Sequence, residues 1–227
     1  HVRSRRQRQM CIRDRDYFGD VPRGAEVVRT VAVEEPITEP LTAKAYDSNI
    51  QIPAVVAAYR MPSIKTRDSR VLDMISAYLS DGNSSKLYRK MVDEEKMALQ
   101  VGAFNVSQED YGMYLIFGLP LGDTPLQSII TGIDEEVVKI QKELITEKDY
   151  QKLQNKFEAN FVDSNSSVEG IANSLAEYYA FFGDTNLINS EIEIYRSISR
   201  EEIQEVAKKY LNPNQRLVLD YLPESSK

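Results

Sequence analysis

The stretch ALQVGAFNVSQEDYGMYLIFGL, residues 98–119, decides the fold class of this chain. Two apolar segments, 98–106 and 111–119, flank the short polar link 107–110, which is the pattern of a β-hairpin. Three further segments have the length and apolar content of strands: 41–47, 55–60 and 217–222. The sequence therefore predicts a mainly antiparallel sheet of about five strands.

Between the strands, apolar residues recur with the 3.6-residue period of amphipathic helices. The clearest helix runs from Leu126 to Leu144, where the apolar spacing alternates between four and three. Capping boxes at 124–127 and 199–202, and a cap at Thr146, predict helix starts. Further helices are predicted at about 66–79, 84–96, 146–161, 168–182 and 199–210. Because strands and helices do not alternate regularly, we expect an α+β fold with helices on one face of a mixed, mainly antiparallel sheet.

The first fifteen residues, HVRSRRQRQMCIRDR, differ in composition from the rest of the chain. They carry a net charge of +5, which would suit a basic arm for RNA or a membrane surface. The string resembles translated sequencing-adapter peptides, so we interpret residues 1–15 as non-native. Residues 16–40, rich in Pro and Gly, are interpreted as an inter-domain linker or entry segment, and residues 41–227 as one domain.

Composition excludes several function classes. Residues 16–227 carry a net charge of −12, which would repel a phosphate backbone, so we expect no nucleic-acid partner. The sequence lacks an apolar stretch long enough to predict a membrane span. The chain's single histidine and single cysteine, His1 and Cys11, both lie in the segment interpreted as non-native. Without imidazole or thiolate, we expect no catalytic residue, no metal ligand and no cofactor in this chain, and cysteine usage does not indicate a compartment.

Three short clusters allow a functional and a structural interpretation. Residues 82–86, GNSSK, could cradle a phosphate, but a helix precedes them and they contain one glycine, which favours a helix–helix turn with Gly82 left-handed and Ser84 as a cap. The acidic clusters 93–95 and 135–136 could hold Ca²⁺ or Mg²⁺, but their helical context favours a solvated face. The aromatic run 178–182 could line a ligand groove and is more typical of core.

Several of these segments, taken in order, resemble one peptidase family. They are YFGDVPRG (17–24), AYRMPS (58–63), LSDGNSSKLYRKMVDEEKMALQVGAF (79–104), ITEKDYQKLQNKFEANF (145–161), IANSLAEYYAFFGD (171–184) and SREEIQEVAKKYLNPNQRLVLDYLP (199–223). Their order and spacing resemble the second, C-terminal domain of a pitrilysin-type zinc metallopeptidase, the family of insulinase and the mitochondrial processing peptidase. The resemblance covers about residues 17–227 and implies a half-clamshell of two similar α+β domains, two halves of which enclose a peptide chamber.

The family's zinc motif, H-x-x-E-H, is absent from this sequence. The resemblance therefore implies that zinc belongs to another domain of the parent protein or to a partner chain. Zinc-free members of the family often place an Arg and a Tyr seven residues apart to hydrogen-bond the peptide. Val92 and Leu99 occupy those positions here, so this chain departs from the peptide-binding pattern as well.

These observations lead to one expectation and two alternatives. We expect a non-catalytic C-terminal domain of a bacterial-type metalloendopeptidase, which completes a peptide chamber together with a zinc-bearing N-terminal domain or a homologous partner subunit. One alternative is an inactive assembly subunit of the same family. The other is a binding module unrelated to peptidases.

Overall fold

The computed structural model describes residues 2–26, 28, 30–31 and 35–227, and the side chains of residues 2–6 are not described. The chain divides into two units, His1–Glu34 and Glu35–Lys227. The first unit contains helix α1 (Val2–Phe18), whose described side chains are exposed. This helix covers a segment for which the sequence predicts no regular element. Part of the predicted linker, at residues 27, 29 and 32–34, lies outside the described residues.

The second unit contains one sheet of five strands. The strands are β1 (Leu41–Asp47), β2 (Ala54–Pro62), β3 (Ala98–Val106), β4 (Tyr111–Pro120) and β5 (Arg216–Pro223). Their spatial order is β1-β5-β2-β4-β3. Only the β1–β5 pair is parallel, and the other three pairs are antiparallel. The predicted hairpin is the β3–β4 pair, and the mixed, mainly antiparallel α+β fold is confirmed.

This unit also contains six α-helices, one π-helix and three short 3-10 helices, Thr185–Asn189, Pro213–Gln215 and Glu224–Ser226. The α-helices and the π-helix position the site. They are α2 (Arg67–Ser80), the π-helix Tyr88–Glu94, α3 (Leu126–Lys142), α4 (Glu147–Ser164), α5 (Val168–Phe182), α6 (Glu191–Arg196) and α7 (Arg200–Tyr210). Helices α2, α3 and α7 contact the sheet, whereas α4 contacts α2 and α6. The sequence does not predict the short helix α6, because six residues are too few to show a helical period.

The core lies between the sheet and helices α2, α3 and α7. Alternate residues of β2 and β4 point into it, among them Tyr59 and Tyr114, which are opposite each other in the sheet and at most 1% exposed. The buried stripe of α3 differs slightly from the predicted one. Ile129 is fully buried, whereas Leu144 lies past the helix end and is 40% exposed.

The predicted caps have different outcomes. Thr146 and Ser199 accept hydrogen bonds from the backbone N–H groups of Asp149 and Glu202, as predicted. The capping box at 124–127 was wrong, because α3 begins after Pro125, which has no side-chain cap bond. The Thr124 hydroxyl donates to the carbonyl of Leu121 instead, at 2.7 Å.

Candidate functional site

The turn GNSSK joins α2 to the π-helix and has a structural role. Gly82 is left-handed, with φ 78°, as predicted for a helix–helix turn. Ser84 does not cap the next helix, because the π-helix begins after Leu87, which makes no side-chain cap bond. The Ser84 hydroxyl instead accepts from Lys152 Nζ at 2.5 Å. Lys86 forms an ion pair with Asp149 on α4 at 2.9 Å, so the turn is attached to α4.

The two acidic clusters do not come together as a metal site. Glu135 pairs with Lys90, and the Lys90 hydrogen bond lowers the pKa of the Glu135 carboxyl. Glu136, predicted to face water, is buried instead and bonds Lys139 at 2.5 Å. Within the described part of the chain, no group of three or more His, Cys, Asp or Glu side chains could hold a metal ion. These residues therefore do not fit a catalytic zinc.

Val92 and Leu99 lie at the positions where the family often has a peptide-binding Arg and Tyr, and both side chains are apolar. Val92 is half-buried in the π-helix and packs against the core. Leu99 lies on edge strand β3 at a register irregularity, where Ala98 pairs with Pro120 and Gln100 pairs with Leu119. Leu99 therefore sits in a β-bulge, 46% exposed. Neither apolar side chain can hydrogen-bond a peptide.

The sheet presents an apolar surface on the side opposite the core, here called the open face. Strand alternation and the pairing register place these residues on it: Val56, Ala58, Phe104, Val106, Tyr111, Met113, Leu115, Phe117, Leu119, Leu217 and Leu219. Phe104, Tyr111 and Met113 are 46–50% exposed. An apolar patch of this kind on a folded domain typically marks an interaction surface.

Two phenylalanines fix the shape of the open face near the sheet edge. The Phe104 and Phe117 rings stack with centroids 5.3 Å apart. Phe117 also covers Gly102 on β3, where an added Cβ would lie 2.1 Å from the ring. Because that space is filled by an aromatic ring, the open face is packed and well defined near β3.

The aromatic run 178–182 is not core. Within α5 no residue is buried, and Tyr179 is 69% exposed. Phe182 lies under the guanidinium of Arg70 on α2, 5.3 Å from the ring centroid. Tyr178 and Phe182 line a cleft between α2 and α5, so the groove interpretation of this run fits the structure better than the core interpretation.

Comparison with known proteins decides the family. The model of the peptidase M16 inactive domain matches residues 8–157, which is well over half of the chain. This chain belongs to the M16 peptidase family. The resemblance to pitrilysin-type peptidases is confirmed, and the M16 domain that matches is the non-catalytic one.

Three relatives of this M16 domain come from bacteria. The zinc protease PqqE of Helicobacter pylori is 26% identical over 137 residues, which cover 60% of this chain and 31% of that protein. A protease structure from Helicobacter pylori superposes with a TM-score of 0.81 at 20% identity, covering 91% of this chain and 50% of that one. The M16 inactive domain from Pseudomonas fluorescens gives 0.75 at 12% identity, covering 89% of this chain and 48% of the other.

These comparisons show how much of each relative's length the chain spans. The structures share its fold, and the chain spans half or less of the length of these three relatives. The family model begins to match at residue 8, inside the segment interpreted as non-native. Among the helices that the structure describes, none has the length and apolar character needed to cross a membrane.

Proposed function

We propose that this M16 domain pairs with a zinc-bearing M16 domain, either in the same parent protein or in a partner subunit, and that together they enclose peptides for hydrolysis. The open face is the observation that supports this proposal. Its exposed Phe104, Tyr111 and Met113 would be covered in a complete peptidase and are unfavourably hydrated without one. Zinc would be held by the other domain, since the described residues of this chain offer no ligand set.

The decisive experiment combines this chain with the zinc-bearing M16 domain encoded upstream of it or in a neighbouring gene. We expect the two to co-elute in size-exclusion chromatography and to cleave a quenched fluorescent peptide in a chelator-sensitive manner. This chain alone should release no fluorescence. Chelator-sensitive cleavage by the chain alone would contradict the proposal.

Variants locate the contact. Phe104→Asp together with Met113→Asp places two charges on the open face and should abolish co-elution and cleavage. Val162→Asp, on the 59% exposed side chain of α4, is the matched control and should leave both unchanged. If the double variant co-eluted and cleaved like the unmodified chain, the open face would not be the pairing surface.

One observation favours a second function, that of an inactive assembly subunit. Val92 and Leu99 stand where peptide-binding members of the family often place Arg and Tyr, and neither can hydrogen-bond a peptide. If the chain pairs with the zinc-bearing domain and the complex cleaves no member of a random peptide library, the assembly function is supported. Cleavage by the complex supports the first proposal.

A further inference from the structure

A cleft of about 160 Å³ lies between α2 and the helices α5 and α6. Its walls include Arg70 and Asp73 from α2, Tyr178 and Phe182 from α5, and Tyr195 from α6. This volume exceeds the space that a single water molecule needs by about tenfold. The cleft can therefore admit a short organic group, and it lies on the helical side of the sheet, away from the open face.

Asp73 is a half-buried carboxylate of this cleft, and its two oxygens accept hydrogen bonds from neutral donors. Asn105 Nδ2 donates to Oδ1 at 2.8 Å, and the Tyr195 hydroxyl donates to Oδ2 at 3.2 Å. Arg70, three residues earlier on α2, directs its guanidinium to both oxygens of Glu191, at 2.9 and 3.0 Å. No Lys or Arg forms an ion pair with Asp73 among the residues that the structure describes.

The enclosure of Asp73 has an electrostatic consequence. Burial raises the pKa of the Asp73 carboxyl to about 6, although the Asn105 and Tyr195 hydrogen bonds and the Arg70 charge act in the opposite direction. A carboxylate in this state attracts a cation more strongly than a fully hydrated carboxylate does, because less water screens the charge.

The rest of the cleft also favours a cation. Its charged lining residues are Arg70, Asp73, Glu177 and Glu191, which sum to −2 when all are ionised. The ring faces of Tyr178 and Phe182 attract cationic groups, and Phe182 already contacts the guanidinium of Arg70. A metal ion is disfavoured, because these carboxylates do not form a group that could hold one within the described residues.

We propose that this cleft binds a primary ammonium group, with the nitrogen at the Asp73 carboxylate and the attached alkyl chain along Tyr178. The ammonium could belong to a free alkylamine or to the lysine side chain of a peptide. The site does not depend on pairing through the open face, so it can be tested on the full chain alone, whether or not the proposed function holds.

The test is an NMR titration of the ¹⁵N-labelled chain with two probes, 1,4-diaminobutane and N-acetyl-lysine amide, at constant ionic strength. We expect saturable shifts of amides near Asp73, Tyr178 and Tyr195 with at least one probe. The probe that binds more tightly identifies the source of the ammonium. Affinity should fall about tenfold from pH 7.5 to pH 5, because Asp73 takes up a proton near pH 6.

Asp73→Asn keeps the shape of the side chain and removes its charge, so this variant should lose saturable binding and its pH dependence. Asp163→Asn, at an exposed position of α4, is the matched control and should bind like the unmodified chain. A second variant, Tyr178→Leu, should weaken binding severalfold and retain the pH dependence.

The proposal is overturned if neither probe saturates, if Asp73→Asn binds as well as the unmodified chain, or if equimolar Na⁺ or Mg²⁺ gives the same shifts.

Discussion

Arg216 on β5 joins its strand to α3 through Asp134. Arg216 Nη2 donates to Asp134 Oδ2 at 2.8 Å, Nη1 donates to Oδ1, and Nη1 also donates to the Tyr59 hydroxyl at 2.8 Å. The Arg216 side chain is 7% exposed and that of Asp134 is 28% exposed. A buried guanidinium is thus neutralised by one carboxylate, and the interior strand β5 is fixed to helix α3.

Removing the carboxylate should therefore be strongly destabilising. Asp134→Ala leaves Arg216 charged, buried and without its counter-ion, and we expect a loss of about 3–5 kcal/mol in the free energy of unfolding. Urea denaturation measures this change. Glu158→Ala is the matched control, because Glu158 pairs with Arg196 at a surface where both side chains are 40–47% exposed, and it should change the unfolding free energy by less than about 1 kcal/mol. Equal losses for the two variants would contradict the argument.

The raised pKa of Asp73 predicts that Asp73→Asn and the unmodified chain differ in stability by an amount that depends on pH. The pKa of about 6 in the folded protein lies above the ordinary value of 3.8. Between these pH values Asp73 therefore binds a proton in the folded protein but not in the unfolded chain. The contribution of Asp73 to stability therefore falls as pH rises from about 4 to 6 and stays low above pH 6. Asp73→Asn should gain about 2–3 kcal/mol relative to the unmodified chain between pH 4 and pH 7.5.

Urea midpoints at four pH values in this interval check the Asp73 prediction. The difference between Asp73→Asn and the unmodified chain is the quantity to follow, because other carboxyl groups titrate in both proteins. Asp163→Asn should give a curve parallel to that of the unmodified chain. A constant difference between Asp73→Asn and the unmodified chain across the interval would show that Asp73 titrates normally.

The helix caps at Thr146 and Ser199 lead to a third prediction, on stability. Thr146 Oγ1 accepts from Asp149 N–H at 3.2 Å, and Ser199 Oγ accepts from Glu202 N–H at 3.1 Å. Thr146→Ala and Ser199→Ala should each lower the unfolding free energy by about 1 kcal/mol. Ser84→Ala removes a hydroxyl that has the same chemistry and caps no helix, so it should change stability by less than about 0.5 kcal/mol. A larger effect at Ser84 than at Thr146 would reverse this assignment.

Residues 1–15 are proposed to be non-native, and their removal tests this. They belong to a different unit from residues 35–227, so the shortened chain 16–227 should show the same urea midpoint as the full chain. The genomic sequence upstream of Tyr17 is the direct check. A coding region that reads HVRSRRQRQMCIRDR in frame would refute the proposal, and a lower midpoint for the shortened chain would show that residues 1–15 stabilise the rest.

The sequence predicted those features of the fold that depend on local patterns. The hairpin at 98–119 was predictable because both strands and their turn are contiguous, and Thr146 was predictable as a cap because its partner is three residues away. The parallel pairing of Leu41 with Leu217 was not, since no local pattern joins segments so far apart. Pro125 replaced the predicted cap because the Thr124 hydroxyl bonds backward to Leu121.

The candidate sites were less accessible to sequence reasoning. Both faces of strand β4 carry apolar residues, so its sequence pattern does not indicate which face the helices cover. The register places Tyr114 in the core and Phe117 on the open face. Asp73 has no distinguishing neighbours in sequence, because its partners Asn105 and Tyr195 come from distant elements. The aromatic run 178–182 was the one available signal for the cleft.

The position of β5 between β1 and β2 affects when this domain can form during synthesis. A nascent chain that has emerged only as far as residue 215 contains four of the five strands, yet β1 has no partner and β2 lacks one of its two neighbours. The core-facing Tyr59 then also lacks its Arg216 bond. Completion of the sheet must therefore wait until nearly the whole of residues 35–227 has left the ribosome, and until then the edges of β1 and β2 that pair with β5 stay exposed.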